Sequence, residues 1–146
     1  MKTGMAMIFQ NPEGCGRDDR EVYTKELALG AMAEPLGFQS LWSVEHHFTD
    51  YTMCPNVTQF LSYFAGRTKD IELGLAVIVL PWHDPMRVAE EVAMLDHMSN
   101  GRMILGVGRV PLHDRCRTRY RRRRDGRLIR ASSRPAPPEL RRRAAL

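Results

Sequence analysis

A chain of 146 residues suits one domain with enough residues to bury a core. No stretch approaches the ~20 apolar residues of a membrane-spanning helix, and three cysteines without CxxC spacing argue against a disulfide framework or a cysteine zinc site. The net charge of +5 averages two unlike segments: residues 1–108 hold eight basic and fourteen acidic side chains (net −6), whereas residues 109–146 hold fourteen Arg, no Lys and three acidic residues (net +11).

In chain order, GMAMIF (4–9) is an apolar run fit for a buried strand. It is too short for the hydrophobic stretch of a signal peptide, so a soluble cytoplasmic protein without a membrane partner is expected. Past a polar loop, Tyr23, Leu27 and Ala31 recur at helical spacing, and Gly37 marks the stop. SLWSV (40–44) is the second strand. Pro55-Asn56 opens a helix that sets Val57, Phe60, Leu61 and Phe64 on one face. IELGLAVIVLP (71–81) is apolar on successive residues, as a strand covered on both faces should be. Asp84-Pro85 is an N-cap with proline at the first helical position, and Val88, Val92 and Leu95 share a face of the helix that follows. RMILGVG (102–108) is the fourth strand.

Alternation of this kind implies parallel strands with helical crossovers, which fits either an open doubly wound sheet or a (β/α)8 barrel. In both, chemistry is done at the carboxyl ends of the strands. Those ends here are Gln10-Asn11, Glu45-His46-His47, Pro81-Trp82-His83 and Gly106-Val107-Gly108-Arg109. His46 and His47 are adjacent, so on a continuing strand they point to opposite faces and make a poor metal pair; no metal site is expected. Glu45 reads equally well as a buried, satisfied carboxylate. Gly106 and Gly108 lack the third glycine and following helix of a dinucleotide loop. Arg109 is either a phosphate ligand or the first residue of the arginine-rich segment.

Taken together, LWSVEHHFTDY, PNV and GRTKDIELGLAVIVLPWHDPMRVAEEVAMLDHMSNGRMILGVGR resemble the N-terminal part of the bacterial luciferase-like flavin-dependent monooxygenase family, from Met1 to Arg109. The resemblance implies the first half of a (β/α)8 barrel, with four parallel strands and three helices. It implies reduced flavin, FMN or less often coenzyme F420, acting with O2 on a small organic substrate. His46 matches the active-site histidine that serves as general base or proton donor beside the flavin, a task suited to imidazole's near-neutral pKa. Glu45, His47 and Phe48 match the substrate pocket. Ala76-Val77 matches a non-proline cis peptide that supports the flavin ring, and Arg109 an arginine on the flavin phosphate. Gly108 stands where bacterial luciferases carry a reactive cysteine, which argues against light emission.

Residues 110–146 depart from the family pattern. Their Arg/Pro/Ala/Ser bias carries no period that would bury a face, so a disordered basic tail is expected. A frameshifted or truncated, impaired copy of a family member explains such an ending. The alternative is a non-catalytic fragment whose tail binds nucleic acid nonspecifically through RYRRRR and RRR; no specific nucleic-acid partner is expected. A half-barrel also exposes sheet edges, through which it could form a homo-oligomer.

Overall fold

The computed structural model describes residues 1–12, 15–47, 49 and 51–109. Phe48 and the whole of segment 110–146 lie outside the described residues. The elements run β1 (Gly4–Met7), α1 (Asp19–Ala33), β2 (Ser40–Ser43), α2 (Val57–Ala65), β3 (Glu72–Leu75), β4 (Ile78–Val79), a 3-10 turn (Leu80–Trp82), α3 (Pro85–Ser99), β5 (Met103–Ile104) and β6 (Val107–Gly108).

Each helix begins where a short polar side chain accepts from its first turn. Asp18 accepts from the Arg20 N–H, Asn56 from Gln59, and Asp84 from Met86 and Arg87. Helix α3 ends on Asn100 in the left-handed conformation, with Gly101 following at φ 77°.

The main sheet is parallel throughout, in the order β1-β2-β3-β5, so strands follow in sequence without a reversal. Register lines up Met5, Leu41, Leu73 and Met103 across one face, with Met7 and Leu75 beyond them. These residues join Ala33, Val57, Leu61, Phe64, Val88 and Leu95 in one core, so all three helices supply the same face of the sheet. A doubly wound sheet would reverse its strand order and clothe both faces. The observed arrangement is the arc of a barrel.

The opposite face carries Gly4, Ala6, Ser40, Trp42, Gly74 and Ile104. A Cβ on Gly74 would stand 2.2 Å from the Trp42 ring, so glycine at that point is what lets the indole lie across the sheet. Trp42 Nε1 donates to Ser40 Oγ at 2.8 Å.

Two sequence-based strands are each broken in two. The run expected over 71–81 is β3 and β4, and that expected over 102–108 is β5 and β6, the inner pair forming a second small parallel ladder with Val79 opposite Gly108. The ladder parts where Gly106 backs onto β3, its missing Cβ falling 2.0 Å from the Leu75 carbonyl oxygen. The Ala76–Val77 peptide between β3 and β4 is cis.

The end of the sheet away from the histidines is a hydrogen-bonded clamp. Glu34 accepts from the backbone N–H groups of Lys69, Asp70 and Ile71, the last two at 2.6 and 2.8 Å. Arg102 donates to the carbonyls of Ala65, Thr68, Ile71 and Ser99, and to Thr68 Oγ1 at 2.8 Å. Its planar fork reaches α2, the strand-three entry and α3 at once. Replacing Arg102 with Ala should lower stability by about 1–3 kcal/mol, since it strands carbonyls that water cannot fully reach. Lys should restore only part of the loss, having no fork. Urea midpoints measure this, and an unchanged midpoint in the Ala variant would show that the clamp contributes nothing.

Candidate active site

The segment after β2 leaves the sheet and folds back over it. Three contacts fix its course: His46 N–H donates to the Cys54 carbonyl at 3.0 Å, Met53 N–H to Phe9 at 3.1 Å, and the Tyr23 hydroxyl to the Met53 carbonyl. A cleft of about 470 Å³ results, lined by Asp19, Tyr23, His46, His47, Thr52 and Met53 among others. Both histidines therefore reach one cavity although they are adjacent, because the chain has left the extended strand by that point. The His46 ring meets Tyr51 edge-on at 5.6 Å, and His47 stacks on Trp82 at 5.0 Å.

Glu45 does not face that cleft as an open carboxylate. Its side chain is fully buried and accepts three hydrogen bonds: His47 Nε2 at 2.5 Å and His83 Nε2 at 2.8 Å on Oε1, and the Val79 N–H at 2.8 Å on Oε2. Burial pushes its pKa up, but the bonds from His47, His83 and Val79 outweigh that and hold the carboxyl below its ordinary range. The hydrogen bond to Glu45 raises the pKa of the partly buried His83, against the effect of burial, and the charges of Glu45 and Glu91 add to the rise. Both rings of the cluster thus surround an ionised carboxylate.

Glu45, His47 and His83 place three ligand-type atoms within 4.8 Å of one another. Two donors on one zinc ion, at bond lengths of about 2.1 Å, would stand roughly 3.4 Å apart in a tetrahedron. The contacts of 2.5 and 2.8 Å to a single carboxylate oxygen are those of hydrogen bonds.

The remaining expected residues form a neighbouring patch outside the histidine cleft. Ala76 is exposed, and its cis bond leads into Val77. A Cβ on Gly108 would meet Val77 Cγ2 at 2.8 Å, so a cysteine there would require Val77 to move. Arg109 follows on β6 with its side chain exposed. The two patches are joined through Val79, which donates to Glu45 and pairs with Gly108. Phe48 cannot be placed among them, as it lies outside the described residues. His83 was legible only as a residue at a strand's carboxyl end; its bond to Glu45 spans 38 residues, and no local pattern announces it.

The luciferase-like monooxygenase family matches residues 1–128 of this sequence, past the point at which the motif resemblance ends. The chain belongs to that family. It is 40% identical over 109 residues to the alkanal monooxygenase alpha chain of Photorhabdus laumondii, a match that covers 75% of this chain and 30% of that one. Among solved structures it resembles the oxygenating constituent of 3,6-diketocamphane monooxygenase from Pseudomonas putida, described in complex with FMN. That likeness has a TM-score of 0.68 and 25% identity over 76% of this chain and 30% of that one. The coenzyme F420-dependent tetrahydromethanopterin reductase of Methanopyrus kandleri is similar too, at TM-score 0.54 and 26% identity over 73% of this chain and 26% of that one. The chain thus spans about 30% of the length of the alkanal monooxygenase alpha chains it matches.

The charge state of the Glu45 cluster should be visible in stability against pH. Glu45 has a lowered pKa, so its contribution is complete above the ordinary carboxylate range and fades as pH falls through the lowered value. His83 has a raised pKa, so its contribution is complete below the ordinary imidazole range and fades as pH rises through the raised value. Their joint support is greatest between roughly pH 4.3 and 6.5. Glu45→Gln should flatten the melting profile across that window. Parallel profiles for the two proteins would show that the cluster carries no charge of consequence.

Proposed function

We propose that the chain carries the flavin-facing rim of a flavin-dependent monooxygenase, in which reduced flavin and O2 act on a small organic substrate. The observation that supports it most is the convergence of His46 and His47 on one cleft at the carboxyl end of the barrel arc. FMN is the proposed flavin, and F420 is the alternative. The surface beyond β3 suits a flat ring: Ala76 is exposed and small, and Gly106 and Gly108 add no side chains over the neighbouring strand. The exposed Arg109 guanidinium can take a phosphate in bidentate fashion. Ala76, Val77, Gly108 and Arg109 would therefore hold the flavin, and the flavin, when bound, supplies the electrons for oxygen activation.

The protein's own part is positioning and proton transfer. His46 is the proposed general acid–base group, with Tyr51 against its ring. His47 is the proposed substrate-side residue within the cleft, and Phe48, proposed beside it from the family resemblance, lies outside the described residues. Residues 1–109 are the proposed barrel portion of the chain, and 110–146 a separate basic segment. Edges β1 and β5 of the main sheet are the surfaces proposed for self-association. Among the described residues, no helix is long and apolar enough to cross a membrane.

In a full-length relative with the same Glu-His-His-Phe segment, the counterpart of His46→Ala should cut turnover roughly 10²–10⁴-fold. Flavin affinity should be almost unchanged, since the ring and phosphate contacts lie elsewhere. The counterpart of His47→Ala should act mainly on KM. Full turnover in the first variant, with only KM raised, would remove His46 from the proton chemistry.

A further inference from the structure

We propose that Glu45 is the positioning residue of this rim, fixing His47 in the form protonated at Nε2 so that Nδ1 becomes the cleft's hydrogen-bond acceptor for an O–H or N–H group of the substrate. The inference deepens the flavin-monooxygenase reading and rests on it for the identity of the cleft. It goes further in giving the second histidine a defined chemical state and in adding His83, which belongs to neither the cleft nor the flavin patch.

An ionised carboxylate can only accept hydrogen bonds. The Nε2 atoms of both His47 and His83 lie within hydrogen-bond distance of the same oxygen, Glu45 Oε1, so both rings donate through Nε2. Neutral His47 is then the Nε2–H tautomer, with its lone pair on Nδ1. Three further contacts restrain the ring and its partner. Trp82 stacks on His47 at an interplanar angle of 28°, the Val79 N–H holds Oε2, and His83 occupies the other side of Oε1. A base oriented by a carboxylate behind it is the recurring arrangement of proton-handling sites. His46 has the other geometry, its ring edge-on to Tyr51.

Two other titratable groups feel the cluster. Glu91 of α3, which accepts from Thr58 Oγ1 at 2.8 Å, favours the charged form of His83. Cys54, buried beside Ser43, has its thiol pushed up by burial and further by the Glu45 charge, so it adds no negative charge in the neutral range.

Long-range proton–nitrogen NMR of the full chain, labelled at histidine nitrogens, reads tautomers directly and needs no enzyme activity. Wild type should show His47 as a single Nε2–H form. Glu45→Gln should convert it to a mixture and lower the pH at which His83 titrates. His83→Gln, the milder change, should leave His47 in its single form, because Glu45 stays ionised. Phenol, an O–H donor small enough for the cleft, should shift His47 Nδ1 selectively, and its methyl ether anisole should not. A His47 spectrum of mixed tautomers in wild type, or one unaltered by Glu45→Gln, would overturn the positioning role. Equal effects of phenol and anisole would overturn the acceptor role. Stoichiometric collapse of the His47 and His83 signals on adding zinc chloride would replace the triad with a metal site. FMN added to a uniformly nitrogen-labelled sample of the full chain separates the two readings: absent shifts around Val77 and Arg109 with the His47 pattern intact would count against the flavin site alone.

Discussion

A buried carboxylate must be supplied with donors, and the rim of this half-barrel is arranged around that requirement. Glu45 has no exposed side-chain surface, and its two oxygens take hydrogen bonds from a loop histidine, a histidine 38 residues away and a strand amide. Removing any one donor would leave part of a buried charge unsatisfied, which is costly in a way an exposed ion pair is not. The three donors belong to the segment after β2, to β4 and to the residue after the 3-10 turn. One side chain thereby sets where two strand ends stand relative to each other, and with them the histidine cleft and the Val77–Gly108 patch.

The opposite end of the sheet is tied with comparable care, beside a cleft of about 350 Å³ lined by Lys2, Glu34, Asp70 and Glu72 among others. Glu34 and Arg102 satisfy backbone amides and carbonyls there, joining helix ends to the entry of β3. Parallel barrels divide their labour in this way, stability at the amino ends of the strands and chemistry at the carboxyl ends. The division is visible in the described residues even though the chain spans about 30% of the length of the alkanal monooxygenase alpha chain.

The strand and helix pattern was legible because it depends on local signals. Asn56 and Asp84 stand before apolar periodicity where the sequence opens a helix, and each proves to cap one, whereas the Asp18 cap of α1 came only from the structure. The choice between barrel and doubly wound sheet was not open to periodicity alone; register and the one-sided placement of Val57, Leu61, Val88 and Leu95 decided it. Continuous apolar runs hid the breaks after Leu75 and Ile104, since hydropathy is blind to a glycine that backs onto a neighbouring carbonyl. Within the site, Glu45, His46 and His47 could be named from sequence as chemistry-bearing residues, but not their division of roles. That division depends on His83, Trp82 and Val79, brought close by the crossover rather than by spacing.

The proposed flavin-binding surface of this chain is the Glu45-organised rim. Backbone amide chemical-shift mapping with FMN at millimolar concentration tests it most directly, because it detects weak binding and reports location. Shifts should concentrate at residues 45–47, 76–79 and 106–109, with Glu34 and Arg102 unmoved. Shifts centred on the Glu34–Arg102 end, or spread evenly over the helices with the rim silent, would contradict it.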